Sequence, residues 1–386
     1  MSHTEASTVT PLVSVIIPVY NQAGYVSRAV QSVLDQTLTE FELIIVDDGS
    51  TDNTPQVLAG FTDPRIRIIR QPNAGLSAAR NRGLKESMAA LVTFLDSDDY
   101  FLPTKLEIMC GYLNGHPDIG MAAGQLIYID DDGNTLGQPA PAQTPLKLPE
   151  LLLENPICVS GIVLRANWLE HVGTFDENLR ACEDWDVWLR LAMAGCRMAW
   201  IDQPVVAYRI HPGQMTQQSS RMRTAILAMF DKFFSRPDLP EPIRACRDRA
   251  IAAGLVHASA YAYLSNECRQ GAADLVEALR LDPSLAANQY RRLVDMLMGW
   301  SGDPRAQDAG VFLRRIISNP PDNQRGFARQ LRRAAGDVML ARLFNGTRET
   351  WRDHRWDLLR AVMYKPDWLA NRGVLRMLLD AWRPAF

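Results

Sequence analysis

Along the first hundred residues, short apolar runs alternate with amphipathic stretches at the lengths of strands and helices. The run LVSVIIPVY (12–20) is β-rich and apolar at successive positions, which predicts a strand buried on both faces, as in a parallel sheet. From Tyr25 to Leu34, the positions of Val26, Ala29, Val30 and Val33 follow helical spacing. FELIIVDD (41–48) predicts a second buried strand, and STDNT after it offers caps for another helix. RIRIIR (65–70) alternates like a half-exposed strand, GLSAARNRGLKESM (75–88) reads as a helix, and LVTFLD (91–96) as a further buried strand. Strand–helix alternation of this kind predicts a doubly wound α/β sheet.

Between about 117 and 170 the pattern is less regular. AAGQLIYIDDDGNTLGQ reads as a hairpin turning at Asp132-Gly133, and the Pro-rich stretch 139–149 as a loop. A helix is expected from Glu183 to Ala194 and a strand near Met198–Ile201. After Ser219 apolar stripes of helical period dominate, so a boundary near 220 separates an α/β domain (1–220) from an all-α domain (221–386). YLSNECRQGAADLVEALRLDPSLAAN is similar to the second part of a tetratricopeptide repeat, but no second copy follows, and it reads as an ordinary helix pair.

The chain's 386 residues suit two domains, and its 47% hydrophobic and 22% charged residues exclude a disordered chain or a membrane bundle. The net charge of −3 conceals an asymmetry. Residues 1–220 carry 14 Lys and Arg against 26 Asp and Glu, or −12, and the remainder 27 against 18, or +9. The six cysteines are scattered without a CxxC pair, which suggests reduced thiols in a cytoplasmic protein and no zinc site. No signal peptide and no run long enough to span a bilayer is visible, so the expectation is a soluble protein or one attached at a membrane surface.

In an open α/β sheet, ligands bind beyond the carboxyl ends of the strands. There the sequence places Pro18-Val19-Tyr20-Asn21, Asp47-Asp48-Gly49-Ser50 and Asp96-Ser97-Asp98-Asp99. Neither GxGxxG nor GxxxxGK[ST] is present, so no dinucleotide fingerprint or P-loop is available. An acidic crevice holds a diphosphate through a divalent cation, and oxygen ligands suit Mg²⁺ or Mn²⁺. Asp47 alone reads equally as a turn residue. The three carboxylates of DSDD point to metal, because like charges so close repel unless compensated. Asp130-Asp131-Asp132, by contrast, fits a hairpin tip screened by water. In CEDWDVWLRLAMAG (182–195), Asp186 and Arg190 are spaced to pair on the surface, and Trp188, Leu189, Ala192 and Met193 form the packing face. Glu183 and Asp184 are then left to face a crevice. His211 is open to a capping, core or metal-ligand role.

Taken in order, VSVIIPVYNQ, QSVLDQT, FELIIVDDGSTDNT, NAGLSAARNRGL, FLDSDD, EDWDVWLRLA and YRIHPGQMT resemble the motifs of a family-2 glycosyltransferase of the nucleotide-diphospho-sugar (GT-A) fold over about residues 12–216. The resemblance implies that Pro18, Val19, Tyr20 and Asn21 line a nucleotide pocket. Asp48 would bind the base and Arg80 the base or phosphate side of the donor, with Asp96 and Ser97 nearer the ribose. Asp98 would ligate Mn²⁺ or Mg²⁺, joined by His211. Asp184 would be the catalytic base, with Asp99, Glu183 and Trp185 close to the sugar or acceptor. The implied reaction is inverting transfer from a nucleotide sugar, UDP-linked by default, to a glycan or lipid-linked acceptor in surface polysaccharide synthesis. A non-catalytic nucleotide-binding scaffold is the alternative.

The helical half is rich in Arg and large apolar residues, above all over 351–382 with Trp351, Trp356, Trp368 and Trp382. This segment reads as packing within the domain or against a second subunit, or as an amphipathic surface for peripheral contact with an anionic membrane. Its basic residues are interspersed with acids and no recognised module is present, which disfavours nucleic acid.

Overall fold

The computed structural model describes residues 10–137, 146–306, 308–321, 324–344, 351 and 353–382. Of the Pro-rich stretch 139–149, the part up to residue 145 lies outside the described residues, and Leu148 opens a short helix. Contacts divide the chain into two compact units, Met1–Met215 with Thr224–Ala245, and Thr216–Arg223 with Cys246–Phe386. Residues 224–245, read from the sequence as the start of the helical domain, therefore pack with the first unit.

In the first unit, β1 (Val13–Val19), β2 (Phe41–Asp47), β3 (Ile66–Arg70), β4 (Leu91–Phe94), β5 (Tyr100–Phe101), β6 (Met121–Ile129), β7 (Thr135–Gly137), β8 (Ile162–Arg165) and β9 (Met198–Arg209) make one sheet. Its order is β3-β2-β1-β4-β8-β6-β9-β5, with β7 paired to β6. The strands β3, β2, β1 and β4 are mutually parallel, and β8 runs against both β4 and β6. The helices are α1 (Val26–Leu34), α2 (Thr54–Leu58), α3 (Leu76–Glu86), α4 (Lys105–Gly115), α5 (Leu148–Leu151), α6 (Ala166–Val172), α7 (Glu183–Met193) and α8 (Ser219–Phe234), the last continuing from the second unit.

β1 and β2 are buried at every position, as the unbroken apolar runs require of strands covered on both faces. Val26, Ala29, Val30 and Val33 of α1 join Val13, Val15, Ile17 and Val19 in one core cluster. On the other face α3 lies against β1 at Gly83, where a Cβ would overlap the Ile16 side chain. The sheet continues along β9 well past the expected Ile201. Asp202-Gln203-Pro204 interrupts its apolar run, and the ladder with β6 shifts register around Gln125 to absorb the interruption.

The second unit is helical throughout its described residues. The helices Arg247–Leu264 and Cys268–Leu281 pack as an antiparallel pair through such residues as Tyr263 and Gly271. A further cluster joins Met339, Leu340 and Leu343 to Leu358, Ala361 and Val362 and to Val374, Met377 and Ala381. No helix is long and apolar enough to cross a membrane among the described residues. All six cysteines are free thiols.

Candidate active site

Parallel register brings the carboxyl ends of β1, β2 and β4 to one sheet edge, with Val19 opposite Asp47 and Ile16 opposite Phe94. Each end carries a polar turn. Asn21, at φ +51°, accepts the Thr51 amide with its side chain, while its own amide donates to Ser50 Oγ. Pro18 and Val19 are buried and Tyr20 is exposed. Asp47 accepts the Ser50 amide at 2.8 Å and faces Arg70, so it is a turn residue. Asp48 is buried and accepts Gln71 Nε2 and the amides of Ala74 and Gly75, closing the loop that leads into α3.

α3 delivers Arg80, whose side chain is 1% exposed and bridges two carboxylates. One guanidinium nitrogen meets Asp96 Oδ1 at 2.6 Å and the other Glu183 Oε1 at 2.5 Å. Arg80 is thus an internal strut between the end of β4 and the start of α7, whereas the sequence pointed to direct donor contact. Asp96 also donates its amide to Ser160 Oγ, and that hydroxyl donates to Asp99 Oδ2 at 2.9 Å. Asp99 accepts the Arg209 amide with its other oxygen and is buried, which pushes its carboxyl well above the usual range. Both of its oxygens are thus taken up inside the protein. Ser97 is buried beside it.

Asp98 keeps about a fifth of its side chain exposed, 19%, and its Oδ2 lies 3.0 Å from His211 Nε2. The imidazole stands 5.0 Å from the Tyr25 ring. Arg209 lies 5.2 Å over that same ring and donates to the main-chain carbonyls of Asp98, Asp130 and Asp131. Tyr25 Oη donates to Asp131 Oδ1 at 2.7 Å. The hairpin tip, expected to be merely solvated, is therefore tied to the site. Arg209, Tyr25 and Ser160 were not singled out in the sequence. Arg209 adjoins His211 within YRIHPGQMT, but Ser160 stands in an apolar run that gives no signal.

α7 begins after Cys182, held at φ +59° in the left-handed region. Glu183 is taken up by Arg80, so only Asp184 of the expected pair remains half-exposed. Burial, then the neighbouring Glu183 charge, push the Asp184 carboxyl up to about 7, against the pull of Arg80. Trp185 is packed in the core, its indole N–H donating to Leu151 O at 2.7 Å and its ring against Phe230. Asp186 corrects the expected surface pair. It is buried, and Arg190 at 2.9 Å shares it with Lys232 at 3.0 Å.

Asp98 and His211 bring one oxygen and one nitrogen donor together; the carboxylate suits Mn²⁺ or Mg²⁺, and the imidazole favours a transition ion such as Mn²⁺ over Mg²⁺. Among the described residues no group of three or more His, Cys, Asp or Glu could cage a metal. A cation that keeps waters and substrate phosphates in its shell needs only one or two protein ligands, and the pair fits that kind.

Residues 14–173 match the family model described as Glycosyl transferase family 2. Over 240 residues the chain is 29% identical to an uncharacterized glycosyltransferase of Rickettsia typhi, covering 60% of this chain and 74% of that protein. It is 32% identical over 187 residues to the chondroitin synthase of Escherichia coli, covering 48% of this chain and 27% of that one. Against that synthase and several other relatives, the chain therefore spans about a third of their length or less. Among solved structures, S. aureus TarS 1–349 in complex with UDP-GlcNAc aligns with TM-score 0.52 at 20% identity, over 78% of this chain and 90% of that one. The mannosyltransferase PcManGT from Pyrobaculum calidifontis, in complex with GDP-Man and Mn²⁺, aligns with TM-score 0.51 at 18% identity, over 82% and 89%. The fold is that of the GT-A structures, a mixed sheet followed by helices.

Proposed function

Since residues 14–173 make this chain a member of the family-2 glycosyltransferases, we propose that it transfers a sugar with inversion from a nucleotide-diphosphate donor to a hydroxyl, with Asp184 as the base. The observation that carries the reading is the gathering of Asp96, Asp98, His211 and Asp184 at one sheet edge, with Asp184 the half-exposed acid of α7. A carboxyl near 7 is matched to accepting a proton at neutral pH. Arg80 fixes the start of α7 against the end of β4, so the base and the DSDD turn keep their spacing. Tyr20, Asn21 and the loop closed by Asp48 line the donor side of the edge. Asp98 and His211 would hold the divalent cation, which when bound neutralises charge on the leaving nucleoside diphosphate. The acceptor is proposed to be a glycan or lipid-linked sugar of surface polysaccharide synthesis, made on the cytoplasmic side.

UDP-sugars are the default donors, and the neighbours' UDP-GlcNAc and GDP-Man are the first to try. The test is a thermal-shift screen of nucleotide sugars with Mn²⁺ or Mg²⁺, followed by turnover of the stabilising donor. Stabilisation by one donor and its transfer, both lost without cation, are expected. Donor binding with no transfer or hydrolysis across acceptors would instead favour the scaffold reading.

A further inference from the structure

The second unit carries an apolar surface that its own packing does not use. Of the twelve large apolar side chains exposed among the described residues, seven lie between Phe344 and Trp382. In the helix Arg372–Ala381, Val374, Met377 and Ala381 face the unit's core. At about 100° per residue, Leu375, Leu379 and Trp382 make a second stripe somewhat more than a third of a turn away. Leu379 is 65% exposed and Trp382 51%. The helix Arg355–Tyr364 repeats the pattern, with Leu358, Ala361 and Val362 inward and Trp356 and Met363 outward. Trp356 meets Trp382 edge to face at 5.3 Å, which joins the two stripes into one patch.

Cations border the patch on both helices. Arg372 and Arg376 fall next to the outward stripe of the first helix, and Arg360 next to that of the second. Arg355 lies 5.4 Å over the Trp382 ring. Arg360 and Arg376 each share a carboxylate within the unit yet stay exposed, at 43% and 74% of their side chains. Asp380 is buried beside Arg376, Asp357 is shared by Arg314 and Arg360, and Asp367 pairs with Arg333.

We propose that this face docks on an anionic lipid surface, with the tryptophans and leucines at the headgroup boundary and the arginines on lipid phosphates. Exposed Trp and Leu edged by Arg on an amphipathic helix is the chemistry of interfacial adsorption. A second copy fits less well, because a two-fold contact through the patch would set arginine borders of like sign against each other. The proposal is independent of glycosyl transfer.

The test is flotation of the full chain with vesicles of phosphatidylcholine alone or mixed with phosphatidylglycerol, at low and at physiological salt. Flotation with the mixed vesicles only, weakening as salt rises, is expected. Arg360→Gln with Arg376→Gln lowers partitioning by about tenfold or more. Leu375→Ser with Leu379→Ser abolishes it while the melting curve is kept, and Met88→Ser, exposed in the first unit, leaves it unchanged. No flotation at low salt, flotation indifferent to the leucine pair, or a stable dimer that the leucine pair dissociates overturns the proposal.

Discussion

At Asp184, one environment sets both the chemistry and its cost. Replacing it by Asn keeps the hydrogen bond that Oδ1 accepts from the Trp185 amide and removes the proposed proton acceptor. Transfer with a purified donor and acceptor is expected to fall by roughly 10²–10⁴-fold. In the intact enzyme kcat/KM should drop below about pH 7, where the carboxyl is protonated. The same shift acts on folding with a definite sign. A carboxyl raised from 3.8 when unfolded to about 7 when folded leaves stability whole below the lower value and erodes it as pH rises through the upper. Asp184→Asn should therefore melt a few kelvin above the parent at pH 8 and with it at pH 4, by calorimetry. Arg80 works the other way. Arg80→Met leaves Asp96 and Glu183 without their shared cation, at a cost of about 3–5 kcal/mol in denaturant unfolding. Because Arg80 pulls the Asp184 carboxyl down, the acid limb of the kcat/KM profile should also move to higher pH in the variant. An unmoved limb would separate Arg80 from the base.

Individual elements show where pattern reading works and where it stops. The strands β1, β2 and β4 are legible because a parallel strand covered on both faces admits only apolar residues, and their ends then announce the site. β9 is half-legible, since Asp202, Gln203 and Pro204 break its run and only the partner ladder shows that it continues to Arg209. Charge misleads inside helices. Asp186 was expected on the surface and Arg80 at the donor, yet both are buried against partners from segments about fifty and about a hundred positions away. No local periodicity carries that information. The contact of α3 with β1 is similarly long-range. Gly83→Ala gains helix propensity of at most about 1 kcal/mol but drives a methyl into Ile16, for a net loss of about 1–3 kcal/mol. Urea melts should show that loss while donor binding by the folded fraction is kept.

For the molecule as a whole, the contrast of an acidic front half with a basic helical half has one local focus in each half. At the sheet edge Asp98 stands beside His211, the pair proposed above for a cation, and arginines edge an apolar face in the second unit. The cation's part is measurable on the intact chain. A donor at about a hundred times its Kd should raise stability by roughly 2.7 kcal/mol in Mn²⁺. Chelation or Asp98→Ala should remove most of that rise, as read by thermal shift. The stretches around residues 98, 130 and 209 meet through the Arg209 guanidinium, whose hydrogen bonds there all go to main-chain carbonyls. Every residue type has such a carbonyl. Paired substitutions across a family would thus carry no covariation between Arg209 and positions 98, 130 and 131 through these bonds, and a contact map inferred from correlated changes would leave this junction blank.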